Sequence, residues 1–213
     1  MSGERPKIDY YFSFISLWSY VGSLAFEDLV RRTGAEVTFK PVDLMAVFAA
    51  GGGKPVKERP KQRQAYRLVE MQRWLEIRGI PLVLHPRFYP ADPSLGHRML
   101  LAALRENLDV AAFVHAGLKA VWADELDIAD PATLSHLARE SGLPGERLLH
   151  EASNDPTLSS AEAELTNEAV TRQLFGAPFY FFRDEPFWGQ DRLELLERAV
   201  TQRPAPIPFS HVG

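Results

Sequence analysis

The apolar positions near the start of the chain change from a strand pattern to a helix pattern within a few residues. Residues 8–14 form a run rich in aromatic side chains, which predicts a buried strand. Beyond Ser16, apolar positions recur at helical spacing over residues 20–30 and end at Gly34, which predicts a helix. A second strand is expected over residues 36–41. This strand–helix–strand order implies a parallel, right-handed crossover.

The middle of the chain has a different pattern. Glycines at 51–53, followed by Lys54 and two nearby prolines, predict a loop that is flexible or faces a ligand. Beyond this loop, amphipathic spacing predicts a block of helices, and no convincing strand lies between about residues 90 and 175. The helices are predicted at residues 64–78, 94–106, 110–123, 131–141, 146–154 and 159–174.

Strand signals return near the end of the chain. Gly176-Ala177-Pro178 leads into an aromatic strand predicted at residues 179–183, and a short partner strand is expected at 186–189. A last helix is predicted at residues 191–202. Without the helical block, the pattern leaves a small α/β unit of four strands and flanking helices.

Composition and charge exclude several classes of function. The net charge of -4, without a basic run that includes aromatic residues, argues against nucleic-acid binding. No apolar stretch approaches the roughly 18 residues of a membrane span, and no signal-peptide core is found, so a cytoplasmic location fits. The absence of cysteine excludes disulfide oxidoreductase chemistry by the chain's own thiols. The six histidines lack the spacing of a metal site, so no metal is expected.

The junction between the first strand and the first helix is one candidate site. The N-terminus of a helix presents unpaired N–H groups and the positive end of the helix dipole, which stabilise an anion. The hydroxyl of Ser16 lies at this junction and could donate a hydrogen bond to a thiolate. The alternative is that Ser16 only caps the helix.

Two further candidate segments precede and follow the last strands. Pro178 stands at the entry to a strand, where a cis bond would turn the N–H and C=O groups of Ala177 toward a peptide-like ligand. An ordinary trans proline is the alternative. Asp191 follows the turn Phe187-Trp188-Gly189-Gln190, and its carboxylate could accept a hydrogen bond from a ligand ammonium or simply cap the last helix.

Together these segments resemble the 2-hydroxychromene-2-carboxylate isomerases and the kappa-class glutathione transferases, which are relatives of the DsbA oxidoreductases. The resemblance covers about residues 8–202 and implies an α/β fold, a thioredoxin-like four-stranded sheet with a large all-helical insertion. It divides the chain into a thioredoxin-like domain (1–46 and 168–213) and a helical insertion domain (47–167). The motifs that carry it are Ser16-Leu17-Trp18-Ser19-Tyr20, Gln173-Leu174-Phe175-Gly176-Ala177-Pro178 and the turn at 187–192.

The resemblance also implies a cofactor and the residues that bind it. Ser16 would contact the sulfur of glutathione, at the position of the first cysteine of the redox relatives. The residues implied to bind the rest of glutathione are Lys54, Lys61, Arg63, Ala177, Pro178, Gln190 and Asp191. Three departures from the family pattern are Ser13 in place of Asp, Leu17 in place of Pro and Gly53 in place of Asn.

The substrate side of the site is expected to include Trp18, Arg87 and Tyr89. A substrate carboxylate needs a cationic or N–H partner, for which Arg87 is one candidate, and Tyr89 could contact a phenolic oxygen. Structural roles for Arg87 and Tyr89 are the alternative.

The implied activity is glutathione-dependent isomerisation of 2-hydroxychromene-2-carboxylate, or of a related intermediate of aromatic degradation, by reversible addition of a thiolate. A small aromatic carboxylate is the expected substrate, and a homodimer would follow the family habit. One alternative is a kappa-like glutathione transferase or peroxidase that acts on other electrophiles. The other alternative is a catalytically idle thioredoxin-fold binding protein.

Overall fold

The computed structural model describes residues 5–202 and 204–209. The strands are β1 (Lys7–Phe12), β2 (Glu36–Pro41), β3 (Phe179–Phe182) and β4 (Glu185–Trp188). The α-helices are α1 (Leu17–Thr33), α2 (Leu44–Ala50), α3 (Lys61–Arg78), α4 (Ser94–Arg105), α5 (Ala111–Trp122), α6 (Pro131–Glu140), α7 (Gly145–Asn154), α8 (Pro156–Thr171) and α9 (Leu193–Gln202). Short 3-10 turns lie at Val56–Glu58 and Gln190–Arg192.

The four strands form one mixed sheet in the order β2–β1–β3–β4. β1 runs parallel to β2, with Ile8 opposite Val37, and antiparallel to β3, with Tyr10 opposite Tyr180. β3 and β4 form an antiparallel pair. This arrangement confirms the predicted thioredoxin-like sheet, in which an early strand and a late strand of the chain are neighbours at the centre.

Alternate residues of the central strands face opposite sides of the sheet, as the strand period of two requires. On one side, Tyr10 stacks on Tyr180 at 5.1 Å between ring centroids and contacts Phe26 of α1. On the other side, Tyr11 and Phe179 belong to a second apolar cluster with residues of α2 and α8. Helices therefore cover both faces of the sheet, which buries its aromatic strands.

The helices between the second and third strands share the apolar core of the sheet. Fully buried residues of α4, α5, α6 and α7 belong to the same cluster as Tyr10; they include Leu100, Phe113, Leu134 and Leu148. No helix in the described part of the chain is long and apolar enough to cross a membrane.

The division into two domains stays a prediction. The expected boundary between residues 167 and 168 lies within α8, and Ala169 of that helix packs in the cluster beneath the sheet. Residues 1–4, 203 and 210–213 of the expected thioredoxin-like domain lie outside the described residues.

The pattern does not predict α2, and it places the starts of α3 and α8 three residues too late. α2 has only seven residues, with Leu44 and Val47 buried, which is too short for a helical period to be recognised. α8 begins early because Asp155 accepts a hydrogen bond from the N–H of Thr157, and Pro156 occupies the first helical position.

A buried histidine fixes the end of β1. Nε2 of His97, in α4, lies 3.3 Å from the backbone N of Phe14 and 3.3 Å from Oγ of Ser13. Because a backbone N–H can only donate, Nε2 is an acceptor, and the neutral ring carries its proton on Nδ1. Nδ1 lies 2.7 Å from Oε1 of Glu162, which accepts a hydrogen bond from Nδ1–H. The loop between β1 and α1 is therefore held by α4 and α8.

We expect replacement of His97→Ala to lower the free energy of unfolding by about 2–4 kcal/mol, measured by urea denaturation. The reason is that Phe14 N–H and the hydroxyl of Ser13 lose their acceptor in a fully buried position. The matched control is His136→Ala on the exposed surface of α6, which we expect to change stability by less than about 0.5 kcal/mol. Equal stabilities of the two variants would contradict the role of His97.

Candidate functional site

Ser16 is the N-cap of α1, as predicted. Its Oγ accepts a hydrogen bond from the N–H of Ser19 at 3.2 Å. Its own hydroxyl proton is donated to the carbonyl oxygen of Ala177, also at 3.2 Å. Ser16 is buried, with 3% of its surface exposed. The hydroxyl therefore connects the start of α1 to the loop that precedes β3.

The peptide bond between Ala177 and Pro178 is cis, which confirms the geometry proposed from the sequence. The expectation for the Ala177 carbonyl is wrong, because this oxygen points to Ser16 rather than outward to a ligand. The N–H of Ala177 has no hydrogen-bond partner among the described residues, although the residue is buried. Backbone N–H groups of buried residues are normally paired, so this group is available to donate to a ligand.

Two cavities meet at this loop. The larger one, which we call the basic cavity, has a volume of about 610 Å³. It is lined by Trp18, Phe48, Gly51, Gly52, Gly53, Lys54, Arg59, Pro60, Arg63, Phe175, Gly176, Ala177 and Trp188. The smaller one, which we call the Gln190 cavity, has a volume of about 210 Å³. It is lined by Trp18, Glu70, Trp74, Ala177, Trp188, Gly189, Gln190, Asp191 and Arg192.

The boundary between the cavities is formed by the residues that line both, Trp18, Ala177 and Trp188. Ala177 is the acceptor of the Ser16 hydroxyl, so the start of α1 reaches the boundary from within the protein. A ligand that lies across this boundary would contact both cavities.

The basic cavity carries three cations and no carboxylate among its lining residues. The side chain of Arg59 is fixed, because its Nε–H donates to the carbonyl of Lys54 at 2.7 Å and its guanidinium lies 5.4 Å from the ring centroid of Phe48. Burial, together with the neighbouring charge of Arg63, lowers the pKa of Arg59. An anionic ligand would relieve this repulsion.

The Gln190 cavity has a mixed polar wall. Asp191 pairs with Arg192 at 2.6 Å, while Glu70 pairs with Arg73 at 2.6 Å. Gln190 is buried and lines the same cavity. No group of three His, Cys, Asp or Glu side chains that could hold a metal ion is found among the described residues.

Two glycines allow the walls of the basic cavity to approach each other. A Cβ on Gly51 would lie 2.7 Å from Cβ of Phe175, and a Cβ on Gly176 would lie 2.8 Å from Nε1 of Trp188. Such distances are too short for a side chain. The glycine loop can therefore pack directly against the segment that precedes the cis peptide bond.

A family model described as a DSBA-like thioredoxin domain matches residues 7–201. The chain belongs to this family. It is 32% identical over 192 residues to the 2-hydroxychromene-2-carboxylate isomerase of Sphingobium xenophagum, covering 89% of this chain and 95% of that protein. It is 26% identical over 217 residues to glutathione S-transferase kappa 1 of Caenorhabditis elegans, covering 96% of this chain and 95% of that protein. These relatives confirm the resemblance stated from the sequence.

A solved structure of a 2-hydroxychromene-2-carboxylate isomerase has the same fold as this DSBA-like chain. The two structures match with a TM-score of 0.76 and 29% sequence identity, covering 92% of this chain and 95% of the other.

Most of the predicted site residues are brought to the two cavities. Ser16 donates to the carbonyl of Ala177, and Pro178 follows Ala177 in the chain, so both lie next to the boundary. Lys54, Arg63, Trp18, Gln190 and Asp191 line one cavity or the other. Their roles toward a ligand stay predictions, but their common location agrees with a single site.

Three predicted residues lie outside the walls of both cavities. Lys61 is exposed at the first position of α3. Arg87 is exposed; its backbone N–H donates to Glu125, and its guanidinium lies 5.1 Å from the ring of Phe88. Tyr89 packs on Trp122 at 4.6 Å between ring centroids. The structure therefore does not bring these three side chains to the boundary.

Several residues that line the cavities are not predicted from the sequence; they are Phe48, Arg59 and Glu70. The density of basic residues between 54 and 63 is a signal for a cationic wall. Spacing alone does not show which of these cations line the cavity, because the loop has no regular period. The position of the Arg59 side chain depends on its contacts with Lys54 and Phe48.

We expect Arg59→Ala to increase amide hydrogen exchange in residues 51–58 by about fivefold, because the loop loses a hydrogen bond worth about 1 kcal/mol. The matched control is Arg63→Ala, because Arg63 lines the same cavity but it is Arg59 that donates to the carbonyl of Lys54 in this loop. Equal exchange rates in the two variants would show that Arg59 does not hold the loop.

Proposed function

We propose that this chain is a glutathione-dependent isomerase that acts on 2-hydroxychromene-2-carboxylate or a related aromatic carboxylate. The observation that carries the proposal is the position of the Ser16 hydroxyl, which contacts Ala177 where the basic cavity and the Gln190 cavity meet. The relative from Sphingobium xenophagum bears the name of this isomerase, and the relative from Caenorhabditis elegans bears the name of a glutathione transferase.

The residues at the boundary fit a tripeptide thiol. Glutathione carries a thiol, two carboxylates, an ammonium and two peptide bonds. The unpartnered N–H of Ala177 could donate to a peptide carbonyl, as in the addition of a strand to a sheet edge. The cations of the basic cavity suit a carboxylate, and Asp191 suits the ammonium.

Ser16 would act by changing its hydrogen-bond acceptor. Its proton now goes to the neutral carbonyl of Ala177, whereas a thiolate beside it would be a charged and therefore stronger acceptor. The N-terminus of α1 would add its dipole and its free N–H groups. Together these interactions would lower the pKa of a bound thiol from its usual value of about 8.5.

When bound, glutathione would supply a thiolate that adds to the electron-poor double bond of the substrate and leaves again after rotation about the resulting single bond, so that none is consumed. The chain would orient the substrate for this reaction. The rings of Trp18, Phe48 and Phe175 line the basic cavity and suit an aromatic ring. We place the substrate carboxylate at Arg59 and Arg63 rather than at Arg87, because Arg87 does not line this cavity.

A glutathione transferase that acts on other electrophiles is the second candidate. The observation that favours it is the relative named glutathione S-transferase kappa 1, which covers 96% of this chain. The same sulfur site would serve both reactions, and only the fit of the second molecule in the basic cavity would differ. A homodimer and a cytoplasmic location stay predictions from the sequence.

We expect Ser16→Ala to lower kcat for glutathione-dependent isomerisation of 2-hydroxychromene-2-carboxylate by about 10- to 100-fold. The reason is the loss of a hydrogen bond to a charged acceptor, worth about 1.5–3 kcal/mol. Ser16→Thr keeps the hydroxyl and should retain most activity. Ser16→Gly lacks the hydroxyl but caps a helix better than alanine, so equal losses in the Gly and Ala variants would exclude a capping effect.

Three outcomes would contradict the proposal in different ways. Full activity of Ser16→Ala would reject the role of the hydroxyl. Turnover of 1-chloro-2,4-dinitrobenzene without isomerisation would favour the transferase. Failure of the wild type to bind glutathione at millimolar concentration would favour a catalytically idle binding protein.

A further inference from the structure

Gln190 accepts hydrogen bonds from Arg78, the last residue of α3. Nη2 of Arg78 lies 2.8 Å from Oε1 of Gln190 and 3.2 Å from its backbone carbonyl oxygen. Nε of Arg78 lies 3.3 Å from the same Oε1. Gln190 is 97% buried, with 3% of its surface exposed, and lines the Gln190 cavity. One guanidinium therefore fixes both the side chain and the backbone of this residue.

These contacts decide which end of the Gln190 amide is available to a ligand. Arginine has only donors, so the amide atom that faces Arg78 must be the oxygen. The NH2 group lies at the other end of the planar amide. It has no hydrogen-bond partner among the described residues. The side-chain amide of Gln190 therefore has two N–H donors available to a ligand, whereas its oxygen is already bonded to Arg78.

The position of Gln190 is also fixed by close packing. A Cβ on Gly22 of α1 would lie 2.5 Å from Cβ of Gln190, so only glycine lets the two segments approach this closely. The guanidinium of Arg78 lies 5.1 Å from the ring centroid of Trp74, which is another wall of the cavity. The amide thus has little freedom to turn.

We propose that Arg78 is a positioning residue, which orients Gln190 so that its NH2 group donates to the α-carboxylate at the γ-glutamyl end of a bound thiol. The inference rests on the proposed function, since it assigns one end of glutathione to the Gln190 cavity. Asp191, the next residue, offers a carboxylate to the neighbouring α-ammonium. A donor and an anion side by side match the zwitterionic end of the ligand, whereas the glycyl end has no ammonium.

The test is calorimetric binding of two thiols: glutathione, and γ-aminobutyryl-cysteinyl-glycine, which lacks the α-carboxylate. We expect Arg78→Met to weaken glutathione binding about tenfold and to change binding of the analogue by less than about twofold. Gln190→Glu keeps an acceptor for Arg78 but replaces the NH2 group by a carboxylate oxygen. We expect it to weaken glutathione binding at least tenfold, with little effect on the analogue.

Arg78→Lys is the second variant, in case the methionine variant does not fold. It keeps the charge but lacks the planar fork, so we expect a loss of glutathione affinity without a matching loss for the analogue. Circular dichroism would show that each variant is folded.

The inference and the proposed function fail in distinguishable ways. If the wild type binds neither thiol, the proposed function is wrong and the inference falls with it. If the wild type binds glutathione but the Arg78 variants weaken both thiols equally, Arg78 only supports the fold and the inference alone is wrong. Unchanged affinity of every variant for glutathione would also overturn it.

Discussion

The hydrogen bond from Ser16 to the carbonyl of Ala177 joins residues 161 positions apart in the chain. It forms because β1 and β3 are neighbours in the sheet, which places the start of α1 beside the loop that precedes β3. Both cavities lie beside this contact, since Ala177 lines each of them. The sheet topology therefore determines where a ligand could meet the hydroxyl.

The groups around this contact could stabilise a thiolate, although the chain has no cysteine of its own. It has no cysteine, so the sulfur nucleophile that the proposed function requires would come from a bound thiol. A thiolate needs stabilisation, which the N-terminus of α1 and the cations near it can supply. His97 holds the preceding loop through Phe14, so the start of α1 is supported from the interior of the helical block. Rigid support of this kind keeps the donor in position before a ligand binds.

The parts of the site with local signals can be predicted from the sequence. The N-cap Ser16, the strand entry at Pro178 and the aromatic strands each follow from residue types at neighbouring positions. The contacts between distant segments cannot be predicted in this way. The orientation of the Ala177 carbonyl depends on Ser16, and the orientation of Gln190 depends on Arg78, 112 positions away. The same limit applies to Tyr89, which packs on Trp122, and to Arg87, whose backbone N–H donates to Glu125.

The most direct measurement is a crystal structure of the protein with glutathione at saturating concentration. The result we expect is a sulfur atom within hydrogen-bond distance of Ser16 Oγ, with the cysteinyl peptide against Ala177 and the tripeptide lying across the boundary of the two cavities. Glutathione bound at a distance from α1, or absent from the boundary, would contradict the assignment of sulfur chemistry to this fold.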